Sequence, residues 1–269
     1  MRKEFKIISN NRPIAFFDSG VGGLTVYTKL KELLPQENFL YFGDTKHMPY
    51  GEKTEEELLE YAQQIINFFI EKDAKAIVMA CNTTSSVIYD KIKNKYNIKI
   101  YPIIQSVAEI IANLGYENIG VFATPATINS NAYKKEIQKH NQNINVIQIA
   151  CPEWVKIVED HKIRTSESII SVKTKIEEIM QFNPEKIILG CTHYPYLLDI
   201  LSTFMTREFF IDPSSYFAEY IKNDLEKNNL TEIAQGTEEI FVSAFPGSFK
   251  ESAKMFYELE NLPTLKTFD

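Results

Sequence analysis

Residues 77–85, IVMACNTTS, and residues 187–195, IILGCTHYP, decide how this chain is read. Each opens with an apolar, largely β-branched run that is short and ends in polar residues, as a strand buried on both faces should. Each then passes a small residue and a cysteine. Cys191 follows Cys81 by 110 positions, and IGVFATP at 119–125 follows IAFFDSG at 14–20 by 105. Two strand-plus-loop features thus recur in one order and at nearly one spacing. This favours two similar lobes facing each other, each supplying one cysteine. The competing reading is the ordinary repetition of strand–turn–helix units in α/β proteins.

Outward from these stretches, short apolar runs alternate with amphipathic ones. Ile14–Phe17, Phe39–Phe42, Ala76–Ala80, Ile98–Ile104, Ile119–Phe122, Ile144–Ile149, Ile187–Leu189, Phe209–Ile211 and Ile240–Ser243 read as strands. Helical patterns fall at 24–34, 55–70, 85–95, 106–114, 130–140, 166–182 and about 214–225, and Thr54 with Glu57 forms a capping box at the head of the second. Such alternation predicts an α/β protein with mainly parallel sheets.

The chain has 269 residues, room for one large or two small domains. Its net charge of −7 gives no global attraction for nucleic acid or anionic lipid. The N-terminus MRKEFKIISNNRP has a basic start without an apolar core, and no apolar run approaches a membrane span. Three cysteines, Cys81, Cys151 and Cys191, are too few and of the wrong parity for a disulfide framework. The expectation is a cytoplasmic globular enzyme, with no membrane or nucleic-acid partner.

Cys81 and Cys191 each belong at the carboxyl end of a parallel strand, the edge where open α/β sheets bind ligands. A following helix directs amides and a positive dipole end there, favouring thiolate. Cys151, before Pro152 and without a polar turn, reads as a small buried hydrophobe. No Cys-x-x-Cys marks a redox pair, and no regular ligand spacing marks zinc, so no metal site is expected. A nucleophilic Cys191 beside His193 accounts for one motif and not the other. Two thiols on opposed lobes suit removal of a proton from one face of a carbon and return of a proton to the other.

Two further loops reach the same edge. Asp18-Ser19-Gly20-Val21-Gly22-Gly23 follows a strand and opens a helix, so its glycines free backbone amides for an anion. It is neither a dinucleotide fingerprint nor a P-loop. Gly43–Gly51, GDTKHMPYG, adds donors and a carboxylate, and Ala123–Thr127, ATPAT, adds hydroxyls on the second lobe.

Taken together, DSGVGGLTV at 18–26, GDTKHMPYG at 43–51, ACNTTS at 80–85 and GCTHYP at 190–195 resemble the glutamate racemase family, from about Pro13 to Ser214. The resemblance implies two pseudo-symmetric α/β domains with the active site in the cleft between them. It implies cofactor-independent interconversion of L- and D-glutamate, supplying D-glutamate for peptidoglycan, and a homodimer. Cys81 and Cys191 match the two proton-transferring cysteines, the first acting on D-glutamate and the second on L-glutamate. Asp18-Ser19, Tyr50-Gly51, Asn82-Thr83 and Thr192-His193 match substrate-contacting pairs. Asp18, His193 and Glu159 resemble auxiliary acid–base groups, and Thr124 and Thr127 site-facing threonines. Lys46-His47 stands where many members carry a small residue and Arg. Related aspartate or hydantoin racemases with the same two-thiol chemistry are the alternative. The expected lobes are residues 1–102 with 214–269, and residues 103–213.

Overall fold

A computed structural model describes residues 10–231, 236–255 and 257–268. Residues 1–9 of the segment read for targeting signals therefore lie outside the described residues. The first part of the chain runs β1 (Ile14–Asp18), α1 (Leu24–Leu33), β2 (Phe39–Gly43), α2 (Glu55–Glu71), β3 (Ala76–Met79), α3 (Asn82–Ile92), β4 (Lys99–Pro102) and α4 (Ile103–Ala112). The second runs β5 (Asn118–Ala123), α5 (Pro125–Ser130), α6 (Ala132–His140), β6 (Asn145–Ala150), α7 (Glu153–Glu159), α8 (Ser166–Met180), β7 (Lys186–Gly190), α9 (Leu198–Leu201) and β8 (Phe210–Ile211). The chain then adds α10 (Pro213–Lys227), β9 (Glu238–Val242), α11 (Pro246–Ala253) and β10 (Thr264–Leu265).

The strands form two sheets, ordered β10-β9-β2-β1-β3-β4 and β6-β5-β7-β8, and every pairing is parallel. The core order 2-1-3-4 of the first sheet is repeated as 6-5-7-8 in the second, so β1 corresponds to β5 and β3 to β7. That is the repeat the two cysteine motifs announced. No residue of β1, β2 or β3 is exposed, because helices cover both faces. Phe17, Phe42 and Phe69 are buried in one core, while Phe16 and Tyr41 join a second, continuous core with Phe122, Trp154 and Tyr133.

Several boundaries moved from their expected places. The strand expected over 98–104 stops at Pro102, which caps α4, and the apolar residues Ile103 and Ile104 fill that helix's buried first turn instead. The helix expected from Ser85 begins at Asn82, making Cys81 its N-cap. The stretch 125–140 is two helices, broken where Asn131 adopts a left-handed φ of 57°. Helices α7 and α11 were not expected.

The order reverses direction between β1 and β3, and again between β5 and β7, and at such a switch point the carboxyl-end loops diverge and leave a crevice. Register places Phe17 beside Met79, so Asp18 and Cys81 emerge together; Ala123 pairs with Gly190, so Thr124 and Cys191 do the same. No described helix is long and apolar enough to cross a membrane.

Candidate active site

The two switch-point edges face each other. Between them lies a cavity of about 30 Å³ lined by both Cys81 and Cys191, together with Ser19, Tyr50, Gly51, Asn82, Thr83, Thr124, Thr192 and His193. Pro49, Glu52, Pro125, Pro152 and Val155 complete its wall. It opens toward a groove of about 940 Å³ between the 48–52 turn and helices α7 and α8, with Pro49, Glu52, Pro152 and Val155 on the border of both.

The two cysteines have different surroundings. As N-cap of α3, Cys81 precedes the unpaired amides of the helix's first turn. Burial pushes its thiol up to about 12 and the Asp18 carboxylate adds to this, while the hydroxyl and amide of Thr84 oppose it. Cys191 follows β7 directly, and its Sγ lies 3.9 Å from His193 Nδ1. His193 Nε2 donates to Glu159 Oε1 across 2.6 Å. Burial works against charge on this ring, yet its bonds to Cys191 and Glu159 hold the imidazolium well above its ordinary 6.5.

Hydrogen bonds lace the two edges together. Thr192 Oγ1 donates to Asp18 Oδ2 at 3.1 Å, and the amide of Gly20 donates to Asp18 Oδ1 at 3.0 Å. Burial nevertheless raises the Asp18 carboxyl above its ordinary 3.8, against the pull of His193 and these donors. Thr83 Oγ1 stands 2.8 Å from Thr124 Oγ1, which stands 3.0 Å from Thr127 Oγ1. Tyr133 donates to Asn82 Oδ1 at 2.7 Å, fixing which end of that amide faces the cavity. Tyr50 donates to Asp44 Oδ2 at 2.5 Å, and His47 Nδ1 meets the same oxygen at 2.8 Å while stacking on Tyr61. His47, one of the two unusual residues in that loop, thus helps hold the turn that carries Tyr50.

Two close approaches depend on glycine. A Cβ on Gly22 would meet Thr192 Oγ1 at 2.4 Å and His193 Nδ1 at 2.7 Å, and one on Gly51 would meet Thr124 Cβ at 2.9 Å. Both pairs span the two sheets, so these glycines let the edges meet.

The expected site residues therefore converge, with three distinctions. Asp18 and Thr127 stand one layer behind the cavity wall, and Glu159 faces the outer groove, reaching the cavity through His193. Cys151 is fully buried beside β6, its Sγ 3.8 Å from Ile149 O, and lines neither space. Sequence reasoning missed α7 and Tyr133. Helix α7 had a readable signal: Glu153 in its first turn, with Trp154, Val155 and Val158 at helical spacing and buried. Trp154 packs edge-on between Phe122 and Tyr194, 5.0 and 4.9 Å away, and so sets the height of Glu159. Tyr133 had no such signal, since only tertiary packing brings it to Asn82.

What this arrangement can do is move protons. Two thiols border one small space walled by hydroxyls, amides and one imidazolium, which are donors suited to carboxylates and to charge developing between them. The chain belongs to the family described as Asp/Glu/Hydantoin racemase, whose model it matches over residues 22–219. Its relatives narrow the class. It is 38% identical to the glutamate racemase of Thermoanaerobacter pseudethanolicus over 258 residues, 94% of this chain and 97% of that protein. It superposes on the crystal structure of glutamate racemase from Francisella tularensis in complex with D-glutamate, with a TM-score of 0.87, 33% identity and coverage of 96% of this chain and 98% of that one. Glutamate racemase isoform RacE1 from Bacillus anthracis gives a TM-score of 0.89 at 27% identity, covering 97% and 98%.

Proposed function

We propose that this chain racemises glutamate by a two-base mechanism, with Cys81 and Cys191 as the proton-transferring groups. The observation that carries the reading is that cysteines from corresponding strands β3 and β7 border a single cavity. One thiolate removes the α-proton while the opposite thiol delivers a proton to the other face, and the roles exchange with direction. The first motif's Cys81 serves D-glutamate and Cys191 serves L-glutamate.

The difficult step is deprotonation next to a carboxylate. Ser19, Tyr50-Gly51, Asn82, Thr83, Thr124 and Thr192 supply preorganised dipoles for the substrate's carboxylates, and exclusion of water strengthens each of them. Thr127 orders Thr124, and Asp18 orders Thr192. His193, held charged by Glu159, places a positive group 3.9 Å from the Cys191 sulfur. A cavity of about 30 Å³ holds roughly one water, far less than an amino acid, so the two edges must part to admit glutamate. The outer groove is the natural route in.

The division into lobes belongs to the same proposal: residues 1–102 with 214–269, and 103–213, the cleft between them being the site. So do the physiological setting and the assembly. D-Glutamate would feed peptidoglycan synthesis in the cytoplasm, a reducing compartment that suits three free cysteines, and the enzyme would act as a homodimer.

Incubation of each enantiomer in deuterated water, followed by circular dichroism and α-proton NMR, tests the mechanism. Inversion with solvent deuterium in the product, without added cofactor, is expected, with losses of a thousandfold or more in Cys81→Ser and Cys191→Ser. Full racemisation by either variant, or preference for aspartate, would overturn it.

A further inference from the structure

The run Thr83-Thr84-Ser85-Ser86 offers four hydroxyls at the start of α3, and three of them are engaged. Thr83 meets Thr124, Ser85 donates to Gln105 Oε1 at 2.8 Å, and Ser86 donates to Thr83 O at 2.8 Å. Thr84 Oγ1 is different: it is fully buried and has no hydrogen-bond partner among the described residues. Folded proteins seldom leave a buried hydroxyl so, and such a group calls for an explanation.

Its position supplies one. Cys81 is the N-cap of α3, and Thr84 occupies the third helical position. At a helix start these two side chains face each other: the cap side chain reaches the third amide, and the third side chain reaches back over the cap. When the cap is a neutral thiol, a weak acceptor, the hydroxyl gains little. When the cap is a thiolate, the same hydroxyl meets a full negative charge.

We propose that Thr84 is a positioning residue for Cys81, its hydroxyl and backbone amide both donating to Sγ whenever that sulfur is a thiolate. The proposal rests on the two-thiol reading and adds a residue to it. The opposing pulls on the thiol agree in sign: burial and Asp18 disfavour the thiolate, and the hydroxyl and amide of Thr84 favour it. A donor without a competing partner is already in place when charge forms on Cys81 and needs no reorganisation then. The second half uses a different device. The third residue after Cys191 is Tyr194, whose hydroxyl is engaged with Cys151 O at 2.8 Å, and His193 stands by that sulfur instead.

The test compares Thr84→Val, which keeps shape and removes the donor, with Thr84→Ser, which keeps the donor. Both are made in the full chain, alone and in a Cys191→Ser background. In that background, the rate of Cys81 alkylation by iodoacetamide at pH 8, with the modified peptide identified by mass, reports the thiolate. Thr84→Val should slow it about tenfold, the equivalent of about one pH unit and typical of one charge-assisted hydrogen bond. Thr84→Ser should recover most of that loss. With both cysteines intact, Thr84→Val should lower kcat by a similar factor with KM little moved. Alkylation at the parent rate in Thr84→Val, or equal slowing in Thr84→Val and Thr84→Ser, overturns the proposal. Thr84→Ala serves the same comparison should the valine variant fold poorly. Failure of the two-thiol reading is seen separately, as racemisation surviving Cys81→Ser, because the alkylation readout does not depend on turnover.

Discussion

Thr192 Oγ1, at the edge of the second sheet, donates to Asp18 Oδ2, at the edge of the first, across 3.1 Å. This bond ties a hydroxyl of the cavity wall to a carboxylate that burial makes reluctant to ionise.

Asp18→Asn should separate stability from activity. A carboxyl whose folded pKa lies above its ordinary 3.8 favours the folded state when protonated, so stability rises as pH falls through the folded value. At neutral pH its buried charge is a cost, and the isosteric amide removes it. Melting should rise by about 2–4 °C, the effect of roughly 1 kcal/mol in a protein of this size. Racemisation should fall about a hundredfold, because Thr192 and the Gly20 amide both donate to Asp18 and an amide can accept from only one of them, so Thr192 must turn. Scanning calorimetry and a racemisation assay on one preparation check both.

Glu159→Gln bears on the opposite edge. The His193 pKa is raised in the folded protein, so the stabilisation is complete below about pH 6.5 and is lost as pH rises through the folded value. Removing the charged partner should cost about 2 kcal/mol at pH 6 and less under alkaline conditions. Urea titrations at two pH values read this directly. Turnover should drop roughly ten- to hundredfold, as expected of an auxiliary proton-handling group.

Gly51→Ala should act as a wedge. The added methyl meets Thr124 Cβ at 2.9 Å across the cleft, so it resists approach of the two edges without disturbing either core. An increase in KM of about tenfold is expected, since misplacement by a fraction of an ångström is costly in an oriented site. Unfolding midpoints should stay within about 0.5 kcal/mol of the parent.

Lys75→Met gives the converse pattern. Lys75 and Glu37 form a buried pair, with both side chains 1% exposed or less, beneath the first sheet and away from the cavity. The variant removes the Lys75 ammonium from the buried Glu37 carboxylate and should cost about 3–5 kcal/mol. Activity per folded molecule should be unchanged, as active-site titration against denaturation curves will tell.

What could be read before any coordinates was whatever lies close together along the chain. Apolar runs ending in Asp18, Cys81, Thr124 and Cys191 marked both strands and the edge they reach, because buried parallel strands carry that pattern in their own residues. The capping box of Thr54 and Glu57 is present as expected. Contacts between distant segments were not legible. Glu159 to His193, Tyr133 to Asn82 and Thr192 to Asp18 join residues 34, 51 and 174 positions apart, and no periodicity encodes such meetings. The late start expected for α3 shows a second limit. Asn82, Thr83 and Thr84 are poor helix formers by propensity, and their burial in the site's wall overrides that preference.

The two halves repeat a strand order without repeating their chemistry: Thr83 and Thr84 follow Cys81 where His193 and Tyr194 follow Cys191. For a reaction that converts a molecule into its mirror image, free energy imposes a condition on that mismatch. Substrate and product have equal standard free energies, so the overall equilibrium constant is one, and kcat/KM must be the same whichever enantiomer is supplied. Unequal partners for the two sulfurs therefore cannot make the enzyme favour one hand. They can only set where along the path it rests, giving one direction a higher turnover and a proportionally weaker apparent affinity. The asymmetry of this site thus bears on the turnover and the apparent affinity of each direction, and never on the ratio of the two hands at equilibrium.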